Sequence, residues 1–159
     1  MTQNSKDISQ EELKEKVLQQ AEKKSYKSDK FKELENIVKW FLAKQDTDNT
    51  LKSLTMWALK LWSSDIHYDN NEGNITVRFR IDWVLVDIFF LEKKEYKLFL
   101  ERMKHSSNLK LNITQIPQDG KYSLDISGEK IDVRVSTLPT PYGENMVCRI
   151  LDSKKAIVD

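Results

Sequence analysis

Apolar side chains change their spacing near residue 64, and this change limits the possible folds more than any other feature of the sequence. Before it, residues 31–42 and 51–62 carry apolar side chains at helical spacing. After it, apolar and polar side chains alternate in short segments separated by turn residues, a pattern typical of half-buried strands. Helical spacing returns once, at 92–105. The pattern predicts an α+β domain in which helices cover a sheet.

Six strands are predicted from the alternation, with connections short enough to join antiparallel neighbours. They fall at 66–68, 75–81, 84–90, 122–126, 131–136 and 146–151, with turns predicted at 70–74, 118–120 and 127–128. Asp48 is the predicted N-cap of the helix at 51–63. The expected sheet therefore has about six antiparallel strands with helices packed on it, and a helical segment precedes it.

The first 45 residues are rich in Lys, Glu and Gln and predict solvent-exposed helix. Ser9 and Glu12 have the spacing of a capping box, and Leu13, Val17 and Leu18 begin a thin apolar stripe. We interpret that stripe as a packing face rather than a binding site. Residues 1–45 are therefore predicted to form a helical extension or linker before one domain.

The charge balance and the cysteine count exclude several classes of function. With 26 Lys+Arg against 25 Asp+Glu, the net charge of +1 gives no field that would attract nucleic acid or a membrane surface. A single cysteine, Cys148, excludes a disulfide framework and a cysteine-based zinc cluster within the chain. His67 and His105 have no neighbouring His or Cys in the sequence, so no metal site is predicted.

Nucleotide-hydrolysing motifs are missing from these 159 residues. A Walker A loop needs a glycine five positions before a Gly-Lys pair, because backbone amides and one lysine must surround the phosphates. The one Gly-Lys pair is Gly120 and Lys121, and position 115 carries Gln115. The chain by itself is therefore predicted not to be an enzyme.

Arginine is distributed differently from lysine. Only five of the 26 basic residues are arginines, and four of those five lie in predicted strands. Because successive strand side chains point to opposite faces, these four are predicted on the face opposite the core. They are Arg78, Arg80, Arg134 and Arg149. Two interpretations stay open: the first two pair with Asp82 or Asp132 across the sheet, or the four form a cluster that faces phosphate.

Several short strings, in the order and spacing of one family, carry a resemblance. They are Ser-Asp-Ile-His (64–67), Val-Arg-Phe-Arg-Ile-Asp (77–82), Pro-Gln-Asp-Gly-Lys-Tyr (117–122), Ile-Asp-Val-Arg-Val-Ser-Thr-Leu-Pro-Thr (131–140), and Tyr-Gly-Glu (142–144) followed by Arg-Ile-Leu-Asp (149–152). Together they resemble the N-terminal domain that precedes the catalytic domain in type II secretion and type IV pilus assembly ATPases. The resemblance covers 51–152, roughly two-thirds of the chain.

The resemblance implies a PAS-like sheet-and-helix fold and a parent protein that works as a homo-hexameric motor. In that family the domain lies over a RecA-like ATPase domain, of the same or a neighbouring subunit, that carries the Walker motifs. A flexible linker joins the two domains. ATP and Mg²⁺ are then cofactors of the full-length parent, with none bound by this chain alone. The implied partner is an inner-membrane platform protein, the implied location is cytoplasmic and peripheral to the inner membrane, and no nucleic acid is expected.

The resemblance also implies which side chains approach the ATP phosphates when the two domains close. The matching positions, with the closest string matches first, are Arg134, Arg149, Arg80 and Arg78. For Asp119 the favoured interpretation is a turn former before Gly120. For Glu144 and Asp132 it is ion pairing with a nearby arginine, and the role of Asp65 is left open.

Two positions depart from the family pattern. Trp83 stands where the family has the glycine of an Asp-Gly hairpin turn. Because tryptophan disfavours positive φ, a different turn is expected there. Residues 112–116 replace a basic pair of the family, which argues against a charge contact at that segment.

Residues 46–152 are therefore predicted to be the PAS-like N-terminal domain of a secretion or pilus ATPase, and 153–159 the start of a linker to the motor domain. The predicted function is non-catalytic: regulation and assembly of the motor, supply of arginines to the ATP phosphates, and coupling of hydrolysis to domain motion. The alternative is a stand-alone binding module. Its arginine-bearing sheet face would take a small anionic ligand or single-stranded nucleic acid.

Overall fold

The computed structural model describes residues 31–151. The chain divides into two compact units, 1–33 and 34–159. The capping box predicted at Ser9 and Glu12 and the linker predicted at 153–159 lie outside the described residues. The predicted domain boundaries at 45 and 152 stay predictions.

Helices and strands follow one another in the predicted order. They are α1 (31–43), α2 (Thr47–Lys60), β1 (Asp65–Asn70), β2 (Ile75–Ile81), β3 (Val84–Leu91), α3 (Lys93–Ser106), β4 (Gln118–Ile126), β5 (Glu129–Thr140) and β6 (Gly143–Leu151). The predicted α+β class is confirmed. So is the prediction of an antiparallel sheet of about six strands with helices packed on it.

The six strands form one sheet in the order β3-β2-β1-β6-β5-β4. Every neighbouring pair is antiparallel, so each half of the sheet is a three-stranded meander and the halves join where β1 pairs with β6. In that central pair Asp65 lies opposite Arg149, and in the next pair Arg149 lies opposite Arg134. The register therefore places two arginines and an aspartate on three adjacent strands, although Asp65 and Arg149 are 84 residues apart in the chain.

The helices cover one face of the sheet. Tyr68 of β1 is fully buried and its ring lies 5.4 Å from Phe99 and 6.3 Å from Tyr96, both on α3. Tyr122 of β4 donates a hydrogen bond to Asp48 of α2 at 3.0 Å. Burial of each such large apolar side chain contributes about 1.5–3 kcal/mol, so the covered face supplies most of the packing energy.

The opposite face carries charged side chains from all six strands, and we call it the open face. Its charged residues and histidine are Asp65, His67, Asp69, Arg78, Arg80, Asp87, Asp119, Lys121, Asp125, Lys130, Asp132, Arg134 and Arg149. The prediction that the four strand arginines lie opposite the core is thereby confirmed.

The N-cap of α2 is Asp46 rather than the predicted Asp48. The Asp46 carboxylate accepts hydrogen bonds from the backbone N–H of Asn49 at 3.1 Å and from its side-chain amide at 2.7 Å. This bonding lowers the pKa of Asp46. Asp48 lies in the first turn of α2, where its negative charge suits the positive end of the helix dipole.

The turn predicted at Gln118–Gly120 is wrong, because these residues begin β4. Gly120 is needed there for close packing rather than for a turn. A Cβ at this position would lie 2.4 Å from the carbonyl oxygen of Ser107 at the end of α3. Asp119 is consequently a strand residue on the open face, opposite Ser136, and not a turn former.

The expectation of a different turn at Trp83 is also wrong. Ile81 pairs with Val84, so Asp82 and Trp83 alone form the loop, with φ of 50° and 68°. Positive φ at both central residues is what a two-residue type I′ hairpin requires. The twist of the flanking strands therefore imposes the turn despite the side chain, which is 91% exposed.

No helix within residues 31–151 is long and apolar enough to cross a membrane.

Candidate functional site

Arg134 and Arg149 lie directly opposite each other on β5 and β6. Both side chains extend from the open face and are 59% and 61% exposed. Because the period of a strand is two, the apolar neighbours of each arginine point into the core and fix the backbone beneath it. Val133, Val135 and Cys148 are such neighbours, and all three are buried. The core thus fixes the two stretches of backbone from which these arginine side chains extend.

Asp65 lies between two of the arginines. Its Oδ1 accepts a hydrogen bond from Nε of Arg149 at 3.0 Å, and its Oδ2 accepts one from Nε of Arg80 at 3.3 Å. The two arginines come from β6 and β2, the strands on either side of β1. The bond to Asp65 raises the pKa of Arg149. This carboxylate therefore holds one guanidinium on each side.

Arg78 is engaged by two aspartates on the other half of the sheet. Its Nη1 lies 3.3 Å from Asp69 on β1, and its Nε lies 2.9 Å from Asp87 on β3. Arg80, besides its bond to Asp65, donates from Nη1 to the backbone oxygen of Trp83 at 3.3 Å. Cross-strand pairing is confirmed for both arginines, but the predicted partners, Asp82 and Asp132, are wrong.

The carboxylate nearest to Arg134 lies farther away than the carboxylates that contact the other three strand arginines. Its Nη2 lies 3.9 Å from Asp119, whose carboxylate accepts a hydrogen bond from the hydroxyl of Ser136. Opposite Arg134 on β4 stands Lys121, which lies 3.1 Å from Asp132. A hydrogen bond from Ser123 and the ammonium of Lys121 lower the pKa of Asp132. The predicted pairing of Asp132 with an arginine is wrong, since its partner is a lysine.

Glu144 does not belong to the open face. Its carboxylate lies 2.5 Å from the ammonium of Lys104 on α3, and both side chains are buried. Lys104 also donates to the backbone oxygen of Ile113 at 3.2 Å. The predicted arginine partner is therefore wrong, and Glu144 instead ties the start of β6 to α3 on the covered side.

His67 occupies the middle of the open face, opposite Arg78. Its Nε2 lies 3.9 Å from Oδ2 of Asp65, beyond hydrogen-bond range. Partial burial lowers the pKa of His67, because removal of water disfavours the imidazolium. At neutral pH the imidazole is therefore uncharged, and it lies between the ion pairs of Asp65 and those of Arg78.

The charged side chains of this surface suit electrostatic binding. The thiol of Cys148 lies on the core side, and burial raises its pKa to about 12, so it is no nucleophile. Among residues 31–151 no three His, Cys, Asp or Glu side chains are grouped so as to hold a metal ion. Side by side, exposed guanidinium groups suit a multiply charged oxyanion.

Five members of the open face were not identified from the sequence: Asp69, Asp87, Lys121, Asp125 and Lys130. The signal for Asp69 was present, because Asp65, His67 and Asp69 alternate along β1 as the arginines do along β2. Lys121 needed the register of β4 against β5, which local patterning does not give. Lys121 also lines a shallow groove, together with Asp119, Gly120, Arg134 and Leu151.

Comparison with known proteins identifies the family. The family model described as Type II/IV secretion system protein matches residues 44–159. The chain belongs to this family. It is 41% identical over 102 residues to the type II secretion system protein E of Klebsiella pneumoniae, covering 64% of this chain and 20% of that protein.

Other relatives match a similar length of this chain. The putative type II secretion system protein E of Escherichia coli K12 is 47% identical over 95 residues, which is 60% of this chain and 19% of that protein. The type II secretion system ATPase E of Vibrio cholerae is 39% identical over 102 residues, 64% of this chain and 20% of the relative. The chain thus spans about a fifth of the length of the curated relatives it matches.

Proposed function

We propose that this chain is a non-catalytic regulatory and assembly domain of a hexameric type II secretion or type IV pilus ATPase. It supplies arginines to the ATP phosphates and couples hydrolysis to domain motion. Family membership supports the assignment to a secretion machine. One relative bears the name type II secretion system ATPase E, which supports an ATPase as the parent protein.

The observation that carries the proposal is the exposed pair Arg134 and Arg149. The two lie opposite each other on adjacent strands, so their backbones are about 5 Å apart and their guanidinium groups can reach one polyphosphate. A guanidinium is planar, always charged and able to donate two parallel hydrogen bonds to phosphate oxygens. Fixed cations of this kind stabilise charge on a transferring phosphoryl group.

Arg80 and Arg78 would contact phosphate less readily than Arg134 and Arg149. Arg80 is shared between Asp65 and the backbone of Trp83, and Arg78 lies between two aspartates. A phosphate would have to replace those partners, which costs more than engaging an exposed group. Their first role is therefore to hold the sheet face in shape, with phosphate contact only when the domains close.

ATP and Mg²⁺ belong to the parent protein in this proposal. The open face has cations suited to phosphate oxygens, and the arginines would contact ATP held by a RecA-like motor domain of the same or a neighbouring subunit. Loss of the phosphate contact on hydrolysis would then release the domain. An inner-membrane platform protein would receive the motion, with the chain cytoplasmic and peripheral to that membrane.

ATP turnover of the full-length protein tests this proposal. Arg134→Ala and Arg149→Ala should each lower kcat on the order of 10²–10³-fold, because a charge-stabilising donor is lost. Circular dichroism of the same variants in this chain should show an unchanged fold, since both side chains are exposed and Asp65 keeps its bond to Arg80 when Arg149 is removed.

Arg102→Ala is the matched control. Arg102 lies on α3, where it donates to the backbone and side-chain oxygens of Gln45, away from the open face. Its removal should leave turnover unchanged. Wild-type turnover in both strand variants, or robust Mg²⁺-dependent hydrolysis by the 159-residue chain alone, would contradict the proposal.

A further inference from the structure

Asp65 differs from the other aspartates of the open face because it is buried. It is 4% exposed, and no other aspartate within residues 31–151 is buried. By contrast Asp119, near Arg134, has a side chain that is 60% exposed. A buried carboxylate stays charged at low cost only where cations and hydrogen-bond donors surround it. The site of Asp65 is therefore built around its two arginines.

The backbone around Asp65 is fixed independently of those arginines. Asp65 is paired with Arg149 in the β1–β6 register, and the adjacent residue Ile66 is buried opposite Cys148. The hydroxyl of Ser63 donates to the backbone oxygen of Asp65 at 3.0 Å. The carboxylate thus has a set position before either guanidinium binds to it.

Both arginines use the same atom, Nε, to bind Asp65. Nε is the inner donor of the guanidinium group, so the bond fixes the direction of the side chain while the terminal nitrogen atoms lie farther out. The Arg149 side chain is 61% exposed, and its terminal nitrogen atoms lie at the solvent end. An arginine restrained in this way loses less conformational freedom when its outer edge binds an anion.

We propose that Asp65 is a positioning residue: it holds Arg149, and secondarily Arg80, in the orientation that presents their outer guanidinium nitrogens to phosphate. This inference rests on the proposed function of the open face. It assigns to one buried carboxylate the preorganisation of a two-arginine contact contributed by strands on either side of it.

The contrast with Arg134 makes the proposal specific. Arg134 is exposed to a similar extent, but its nearest carboxylate, on Asp119, lies 3.9 Å away and is itself exposed. Arg134 is therefore expected to be mobile in the chain alone and to become ordered on contact with phosphate. Arg149 is expected to be ordered already.

Side-chain NMR on the wild-type 159-residue chain tests the positioning directly. The order parameters of the Nε–Hε groups of Arg149 and Arg80 should exceed that of Arg134. Equal mobility of Arg149 and Arg134 would overturn the inference. This measurement needs no variant and no ATPase activity, so it decides the question even if Asp65→Asn does not fold.

Turnover of the full-length protein tests the consequence. Asp65→Asn keeps the shape but leaves one oxygen for two guanidinium groups and turns an amide toward one of them. It should lower kcat on the order of tenfold through misplacement of Arg149. Asp48→Asn, which removes the carboxylate partner of Lys52 on α2, away from the open face, is the matched control and should leave kcat unchanged.

A double-mutant cycle separates positioning from a general structural effect. Because Asp65 acts largely through Arg149, the effect of Asp65→Asn should be smaller in the Arg149→Ala background than in the wild type. Equal effects in both backgrounds would overturn the inference. Wild-type turnover of Arg149→Ala itself would instead refute the phosphate role of the open face, whatever the NMR shows.

Discussion

His67 is the residue at which pH acts most directly on the open face. Partial burial lowers its pKa below 6.5; Asp69 and Asp65 oppose this shift, and Arg80 and Arg78 add to it. The unfolded chain therefore binds a proton at a higher pH than the folded chain does. As pH falls through about 6.5 and down to the folded pKa, His67 lowers the free energy of unfolding; below that pKa its contribution is constant.

His67→Gln should remove this part of the pH dependence, because glutamine does not titrate. We expect the wild type to lose stability relative to His67→Gln between about pH 7 and about pH 5.5. Urea unfolding at both values measures the difference. Parallel curves for wild type and His67→Gln would contradict the prediction.

At the scale of elements, the β2–β3 hairpin holds a tryptophan in a conformation that suits glycine. Trp83 has φ of 68°, and its side chain is 91% exposed, so it contributes little packing to offset the strain. A non-glycine residue in the left-handed region costs about 1–2 kcal/mol. Trp83→Gly should therefore raise the free energy of unfolding by about 1 kcal/mol, after the larger entropy of glycine in the unfolded chain is subtracted.

The β4–β5 hairpin provides the matched control for that substitution. Its loop is Ser127 and Gly128, with φ of 53° and 80°, and no atom lies within 4 Å of a Cβ placed at Gly128. Gly128→Ala should thus lower the free energy of unfolding by about 1 kcal/mol through the backbone alone. Urea unfolding of both variants checks the pair. Destabilisation by Trp83→Gly would show that the tryptophan side chain makes contacts that outweigh its backbone strain.

At the scale of the whole molecule, the alternation of side chains was enough to predict the sheet and its two faces. That pattern is local, so it placed β2 at 75–81 correctly and put Arg134 and Arg149 opposite the core. Ion-pair partners could not be predicted, because they depend on register between distant segments. Asp65 and Arg149 are 84 residues apart in the chain and meet only when β1 pairs with β6. Likewise, the role of Gly120 depends on contact with α3 rather than on its neighbours in sequence.

The charge balance of the open face also bears on the choice between the two proposed classes of ligand. Its six cations are matched by six aspartates, and the whole chain has a net charge of +1. Affinity for single-stranded nucleic acid comes mainly from uncompensated cations, and the salt slope scales with their number. A nucleotide held by a motor domain needs only one or two well-placed guanidinium groups. The balanced face therefore suits a phosphate presented by a partner better than a free oligonucleotide.

We therefore expect short oligonucleotides to bind the chain with a Kd above about 10⁻⁴ M at physiological salt, and we expect this Kd to depend only weakly on salt concentration. Fluorescence anisotropy with a labelled single strand measures both. Asp119→Asn together with Asp132→Asn removes the carboxylates nearest to Arg134 and Lys121, so it should tighten binding and steepen the slope. Tight, salt-sensitive binding by the wild type would favour the stand-alone binding module instead. That outcome would mean that the aspartates do not neutralise the arginines they face, and that the open face is a ligand site without a motor domain.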